Sequence, residues 1–325
     1  MMHILALVPG GIGDQLLFFP TIEELKRYYP DANIDIVAEP RAMGAYRVSK
    51  FYHEGSLRVL PFDFKDRNGM SDWGNLIGII RDREYDLVLS LGKRWVVKFL
   101  LWMTGIPKRI GYTETRGSWL LTDAVPLKTE QYAAHMYHDL VQGLGIQSPC
   151  PPISINLLKQ DLDWAESEQQ RLGVKDSGYI LVHGGSSQLA QSKGVDKLYP
   201  VENWQKILSE WQQRQPNLPI VVAKGPEDEA WVRQLSQAVD DFKIISPPDI
   251  GKLAATIAGA NVMLCTDSAP MHLAVAVETY TIALFGPTDP KKLLPESDKF
   301  IGIQSPSGKM SDISAEMGLE KLLGQ

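Results

Sequence analysis

The 325-residue chain is short of several things, and each shortage excludes a class of protein. It has two cysteines, Cys150 and Cys265, too few for a disulfide framework or a four-thiolate metal site. A reducing compartment fits, and a cytoplasmic protein is expected. No apolar run reaches the ~18 residues that a membrane-spanning helix needs. The opening run His3–Val8 is too short for a signal-peptide core and runs into Gly-Gly, so it reads as a buried first strand. Positive charge is not in excess either. The net charge is −6, and nucleic acid is not an expected partner. Residues 1–150 hold 17 basic and 17 acidic side chains, so the whole deficit lies in the remainder. The first half therefore meets an anionic partner more easily than the second.

What is present is ordinary globular material of two-domain length, 44% apolar and 22% charged. Strand-length apolar runs (3–8, 33–38, 57–60, 86–91, 108–112) alternate with helical patterns (14–29, 41–50, 72–82, 94–104, 130–145). The alternation resumes after residue 151, with strands at 179–183, 218–223, 243–246, 261–265 and 280–285 between further helices. Runs such as Tyr179-Ile-Leu-Val182 are apolar throughout, as in parallel sheets covered on both faces. The pattern predicts an α/β fold of two doubly wound parallel sheets. Ser148-Pro-Cys-Pro-Pro152 cannot continue a helix or a central strand and marks the joint. The expected division is a first domain over 1–148, a linker over 149–156 and a second domain over 157–325. The last helical pattern, near 313–323, is expected to pack back on the first domain. The most apolar stretch, Trp95–Met103, is interrupted by Lys98 and preceded by Lys93 and Arg94. It reads as a packed amphipathic helix, with contact at a membrane surface as the alternative.

Two such domains make a cleft at the carboxyl ends of their strands, so chemistry is sought in the loops that follow strands. In Pro9-Gly-Gly-Ile-Gly-Asp14 the glycines Gly11 and Gly13 let a substrate approach the backbone. The turn matches a dinucleotide fingerprint poorly, because Leu16 stands where the third glycine belongs. Asp14 also fills the positive end of the helix, where a pyrophosphate would sit. The carboxylate is either a helix-start charge or a general base. After the strand ending at Cys265, Thr266-Asp-Ser-Ala-Pro-Met-His272 opens a helix with no acid in its first turn, the better phosphate site. His183-Gly-Gly-Ser186-Ser187 follows another buried strand, with Lys193 and Lys197 beyond it. A lysine there can neutralise a phosphate. Gly225-Pro-Glu-Asp-Glu229 offers acids either to a helix dipole or to ribose hydroxyls.

With these loops in place, the chain resembles glycosyltransferase family 9, the heptosyltransferases of bacterial lipopolysaccharide. Thr266-Asp-Ser-Ala-Pro-Met-His-Leu-Ala274, with Leu284-Phe-Gly-Pro-Thr-Asp-Pro290 after it, looks like the family's donor signature. Gly13-Asp14 with Pro20, Arg109-Ile-Gly-Tyr112, and Lys197-Leu-Tyr-Pro200 with Trp204 resemble three further segments in the same order. The resemblance implies a GT-B fold of two facing Rossmann-like domains, the first binding acceptor and the second donor. It implies an inverting transfer of a heptose-like sugar, with ADP-heptose as donor and a hydroxyl of a cell-surface glycan as acceptor. Asp14 would be the base. Lys197, Asp267, Ser268, Ala269 and His272 would contact the donor, with Ser186 and Ser187 lining its site. Thr288 would lie near the diphosphate, and Glu227 or Glu229 would hold the ribose. No bound metal and no cofactor is implied. Lys93, Arg94, Arg109 and Arg116 suit an anionic glycolipid or oligosaccharide acceptor. A monomer is expected, in the cytoplasm or at the inner face of the cell membrane. Ala269 departs from the family's usual glycine. Two other readings are a nicotinamide oxidoreductase using the Gly10–Gly13 turn with Glu39, and a nucleotide-sugar binder without turnover.

Overall fold

The computed structural model describes residues 1–64, 69–113, 116–185 and 197–323. They form two compact units, Met1–Asn156 and Leu157–Gln325. The strands of the first are β1 (His3–Val8), β2 (Asn33–Ala38), β3 (Leu57–Pro61), β4 (Leu87–Ser90), β5 (Lys108–Tyr112) and β6 (Asp123–Val125). Its helices are α1 (Ile12–Tyr28), α2 (Lys50–His53), α3 (Met70–Asp82), α4 (Trp95–Thr104) and α5 (Ala133–His138). The second unit has β7 (Ile180–His183), β8 (Ile220–Ala223), β9 (Lys243–Ile245), β10 (Val262–Thr266), β11 (Thr281–Phe285) and β12 (Phe300–Gln304). Its described helices are α6 (Lys159–Leu172), α7 (Val201–Arg214), α8 (Glu229–Ala238), α9 (Ile250–Ala258), α10 (Ala269–Ala276), α11 (Pro290–Leu293) and α12 (Ala315–Leu322).

Among the described residues each unit carries one six-stranded sheet. The orders are β3-β2-β1-β4-β5-β6 and β12-β11-β10-β7-β8-β9, with every pairing parallel. Both are the doubly wound Rossmann order, which reverses beside the first strand of the unit. The central strands are buried end to end, from Ile4 to Val8 in β1 and along all of β7 and β11, which is why they read as unbroken apolar runs. The core of the second unit is built on indoles. Trp204 lies edge-on to Tyr199 at 5.3 Å and to Trp231 at 6.0 Å, between centroids. Such pairs contribute beyond their burial.

Three features differ from the sequence reading. Residues 41–50 are mostly 3-10 helix over Pro40–Val48, and the 130–145 pattern divides into α5 and a 3-10 helix over Asp139–Leu144. The final helix, expected against the first unit, packs in the second. Gly318 brings α12 so close to α7 that a Cβ there would stand 2.9 Å from Ile207. No described helix is long and apolar enough to cross a membrane.

Candidate active site

Strand β1 delivers the chain to the Pro9–Gly11 turn, and α1 starts at Ile12. The Gly11 N–H donates to Asp14 Oδ2 at 2.9 Å, so the carboxylate closes the first turn of its own helix. Its other oxygen is held from elsewhere in the chain: the Tyr137 hydroxyl donates to Asp14 Oδ1, also at 2.9 Å. Burial, together with the adjacent Asp14, raises the Tyr137 pKa well above the phenol value, so this side chain stays a donor. Tyr137 rides on α5, and Tyr112 fixes that helix by donating from the end of β5 to the Met136 carbonyl at 2.9 Å. Asp14 thus remains half-exposed with both oxygens aimed. Each keeps accepting capacity beyond its one bond. Gly10 has φ +122°, and a Cβ on it would stand 2.2 Å from Asp14 Oδ2. Beneath the turn, the Gln15 amide donates to the Val8 carbonyl at 3.0 Å and accepts from Tyr46 at 2.6 Å.

Ser90 at the end of β4 pairs with Leu7, so the loop carrying Lys93 and Arg94 leaves the same sheet edge as Gly10–Asp14. Both side chains are exposed, as is Arg116 beyond β5. Arg109 is placed differently from the sequence expectation. Through Val88 it lies level with Leu5, three residues short of that edge. Its guanidinium donates to the carbonyls of Ile106 at 2.6 Å and Leu120 at 3.0 Å. It braces the turns around β5 rather than joining Asp14.

In the second unit β10 lies between β7 and β11, so the loops after all three share one edge. There Asp267, 5% exposed, accepts from Lys197 Nζ at 2.5 Å and from the Thr288 hydroxyl at 2.6 Å. Three segments far apart in sequence therefore meet on one buried carboxylate. Ser268 is the N-cap of α10, but its hydroxyl turns back to the Thr266 carbonyl at 3.2 Å and makes no side-chain cap. The first turn of α10 holds no acid, leaving its N–H groups and positive dipole end for an anion. Ala269 follows, and among the described non-glycine residues only Glu84, Asp241 and Glu278 have positive φ. Alanine at 269 is therefore unstrained. His272 is buried in the same helix.

A second buried group stands behind this one. His183 Nε2 lies 3.4 Å from Asp228 Oδ2, and His183 Nδ1 lies 3.5 Å from the Ser268 hydroxyl. Burial works to raise the Asp228 pKa. The hydrogen bonds from His183 and from the Gly225 N–H (2.7 Å) outweigh it and hold the carboxyl below the aspartate range. A Cβ on Gly185 would fall 1.6 Å from Asp228 Oδ1, so that glycine makes room for the carboxylate. Glu227 and Glu229, the expected ribose ligands, are exposed, and Glu229 pairs with Lys224 at 2.9 Å. Asp228 between them is the acid the fold buries. Ser186 and Ser187 lie outside the described residues.

One sheet edge therefore presents an oriented carboxylate, and the other an anion site built on a helix start, a paired lysine and a hydroxyl. Comparison with known proteins gives this arrangement its class. The E. coli heptosyltransferase WaaC, solved with ADP-2-deoxy-2-fluoro heptose, superposes with a TM-score of 0.73 at 17% identity, over 99% of each chain. The fold is GT-B. The model of glycosyltransferase family 9 (heptosyltransferase) matches residues 73–323. The chain belongs to that family and is a glycosyltransferase. It is 27% identical to lipopolysaccharide heptosyltransferase 3 of E. coli K12 over 294 residues, 85% of this chain and 80% of that one. It is also 27% identical over 333 residues to photosynthetic NDH subunit of subcomplex B 1, chloroplastic, of Arabidopsis thaliana, covering 94% of this chain and 70% of that one. The nicotinamide reading falls with the family. It also fails on geometry, because Asp14 holds the Gly11 N–H that a pyrophosphate would need.

Proposed function

We propose that the chain is an inverting, metal-independent transferase that moves a heptose-like sugar from ADP-heptose to a hydroxyl of a lipopolysaccharide-type cell-surface glycan. The observation that carries this reading is Asp14, a half-exposed carboxylate held by two donors at the mouth of a glycine turn. In the reaction Asp14 takes the acceptor's hydroxyl proton as that oxygen attacks the anomeric carbon. The bond from the sugar to the diphosphate breaks, and the nucleoside diphosphate leaves with the electron pair. One base and one displacement invert the centre.

The departing charge falls to Lys197, to the N–H groups at the start of α10 and to Thr288, acting as preorganised dipoles and charge. Asp267 is a carboxylate and would repel phosphate. Its part is to aim Lys197 and Thr288. The WaaC structure with ADP-2-deoxy-2-fluoro heptose supports an adenine nucleotide. Glu227 or Glu229 holds the ribose, and His272 backs the diphosphate. Lys93, Arg94 and Arg116 take anionic groups of the acceptor. A cytoplasmic enzyme suits the free cysteines, half-buried Cys150 and buried Cys265.

The test is release of ADP from ADP-heptose, in the presence of a chelator, on addition of a heptose-acceptor glycolipid. Asp14→Asn should lower turnover at least ~100-fold, the usual scale of a general base. ADP binding by calorimetry should change little. The Arabidopsis relative is named as a subunit of an assembly, so the same assay separates transferase from binder. ADP binding with no turnover on any glycan acceptor would sink the transferase reading.

A further inference from the structure

Helix α4 is turned the wrong way round for water. Its one charged side chain, Lys98, is 1% exposed, while Trp95 is 49%, Phe99 38%, Trp102 52% and Met103 40% exposed. Lys98, Leu101 and Thr104 form the buried stripe. A surface helix ordinarily does the reverse, apolar inward and charged outward. The outer rings run in line. Trp95 and Phe99 are 6.3 Å apart between centroids, and Phe99 and Trp102 are stacked at 5.9 Å.

The following loop enlarges the patch. Trp119 is 81% exposed. Its loop is fastened to α4, because Lys98 Nζ donates to the Arg116 carbonyl at 3.4 Å. A Cβ on Gly117 would stand 3.1 Å from Trp95 Cβ. So contiguous an exposed apolar patch marks an interaction surface.

Charge selects the partner. Lys93 and Arg94 are exposed at the head of α4, and Arg116 on the loop. Between residues 87 and 122 the sequence has six basic residues and one acid, Glu114, which lies outside the described residues. A second copy of this chain would set that cationic rim against itself, and like charges across an interface repel. Indole rings favour the level between water and hydrocarbon, and cations beside them favour anionic headgroups.

We propose that α4 and the 116–119 loop form a docking face for an anionic lipid bilayer. Trp95, Phe99, Trp102 and Trp119 lie at headgroup depth, and Lys93, Arg94 and Arg116 sit against lipid phosphates. The helix lies in the plane of the surface and does not cross it. The same three cations can meet the anionic groups of a membrane-bound acceptor, but vesicle binding needs neither donor nor acceptor, so the face is tested apart from the transferase reading.

The test is co-sedimentation of the full chain with phosphatidylcholine vesicles, with and without phosphatidylglycerol. The chain should be retained by the anionic vesicles and released by salt. Joint Trp95→Ser, Trp102→Ser and Trp119→Ser should weaken retention about tenfold or more, since buried apolar area sets interfacial binding. Its circular dichroism and Tm should match the parent's, because all three positions face solvent. Lys93→Ala with Arg94→Ala and Arg116→Ala should remove the preference for anionic vesicles. Retention by neither vesicle, or equal retention by the tryptophan variant, would overturn the proposal. A concentration-dependent dimer broken by the same variant would assign the face to a second copy instead.

Discussion

The hydrogen bond from Tyr137 to Asp14 lends itself to a sharp perturbation. Tyr137→Phe keeps the ring in its buried site and deletes one oxygen. Hydrogen bonds to charged groups contribute roughly 1.5–3 kcal/mol. Asp14 would keep its Gly11 N–H at 2.9 Å, so the carboxylate stays on the helix while Oδ1 loses its restraint. Two consequences oppose each other. A carboxylate that loses a donor is a stronger base, which helps proton transfer. One that rotates freely spends less time aimed at the acceptor, and small misplacements are costly. At 1.36 kcal/mol per decade, a loss of about 2 kcal/mol is roughly 30-fold in rate. The returned basicity brings the expected fall in kcat to about tenfold. The donor's KM should not move, since Tyr137 belongs to the first unit and the proposed donor residues to the second. The assay is ADP release against donor concentration, which separates kcat from KM. A kcat within threefold of the parent would refute the reasoning.

Gly10→Ala should be as damaging to turnover as losing the base, because its Cβ would arrive 2.2 Å from Asp14 Oδ2 at a φ of +122°. Kinetics together with a lowered Tm would show it, and normal activity would mean the turn relaxes freely. Lys197→Met should weaken ADP binding about 10-fold or more, the scale of a charge-assisted contact, with calorimetry as the check. An unchanged Kd would leave Lys197 as no more than the partner of Asp267. The depressed Asp228 pKa also has a signed consequence. Its folded value lies below the aspartate reference of 3.8, so it contributes stability that is full above that pH and lost as pH falls through the folded value. In acid melting curves, Asp228→Asn should flatten the dependence below that reference, and an unaltered slope would count against the pair with His183.

What the sequence disclosed follows from what each element must satisfy locally. Buried parallel strands such as β1, β7 and β11 need apolar side chains on both faces, so they announce themselves. Two of the four edge strands escaped. β6 is three residues, Asp123–Val125, and β12 reads Phe-Ile-Gly-Ile-Gln with only Ile303 buried. The 130–145 pattern looked like one helix because periodicity ignores packing. Gly143 is pressed so close to Ile110 that a Cβ would stand at 2.8 Å, and Gly145 has φ +81°.

The site divides along the same line. Asp14 was legible because its reason is nearby in the chain. The glycine four residues earlier exists to clear the carboxylate, and the N–H three residues earlier binds it. Tyr137 left no mark, being 123 positions away and placed only by α5 packing under the Tyr112 bond. Among Glu227, Asp228 and Glu229 composition cannot choose. The fold buries Asp228, by bringing Gly185 and His183 from another strand end against it, and leaves Glu227 and Glu229 exposed. Ala269 shows the opposite limit. A glycine missing from a family pattern suggests a broken site, yet the backbone there never enters the left-handed region, so the substitution adds a methyl at the helix start without strain. Glycines required by conformation cannot be told from glycines kept for space until φ is known. Gly10 is required on both counts.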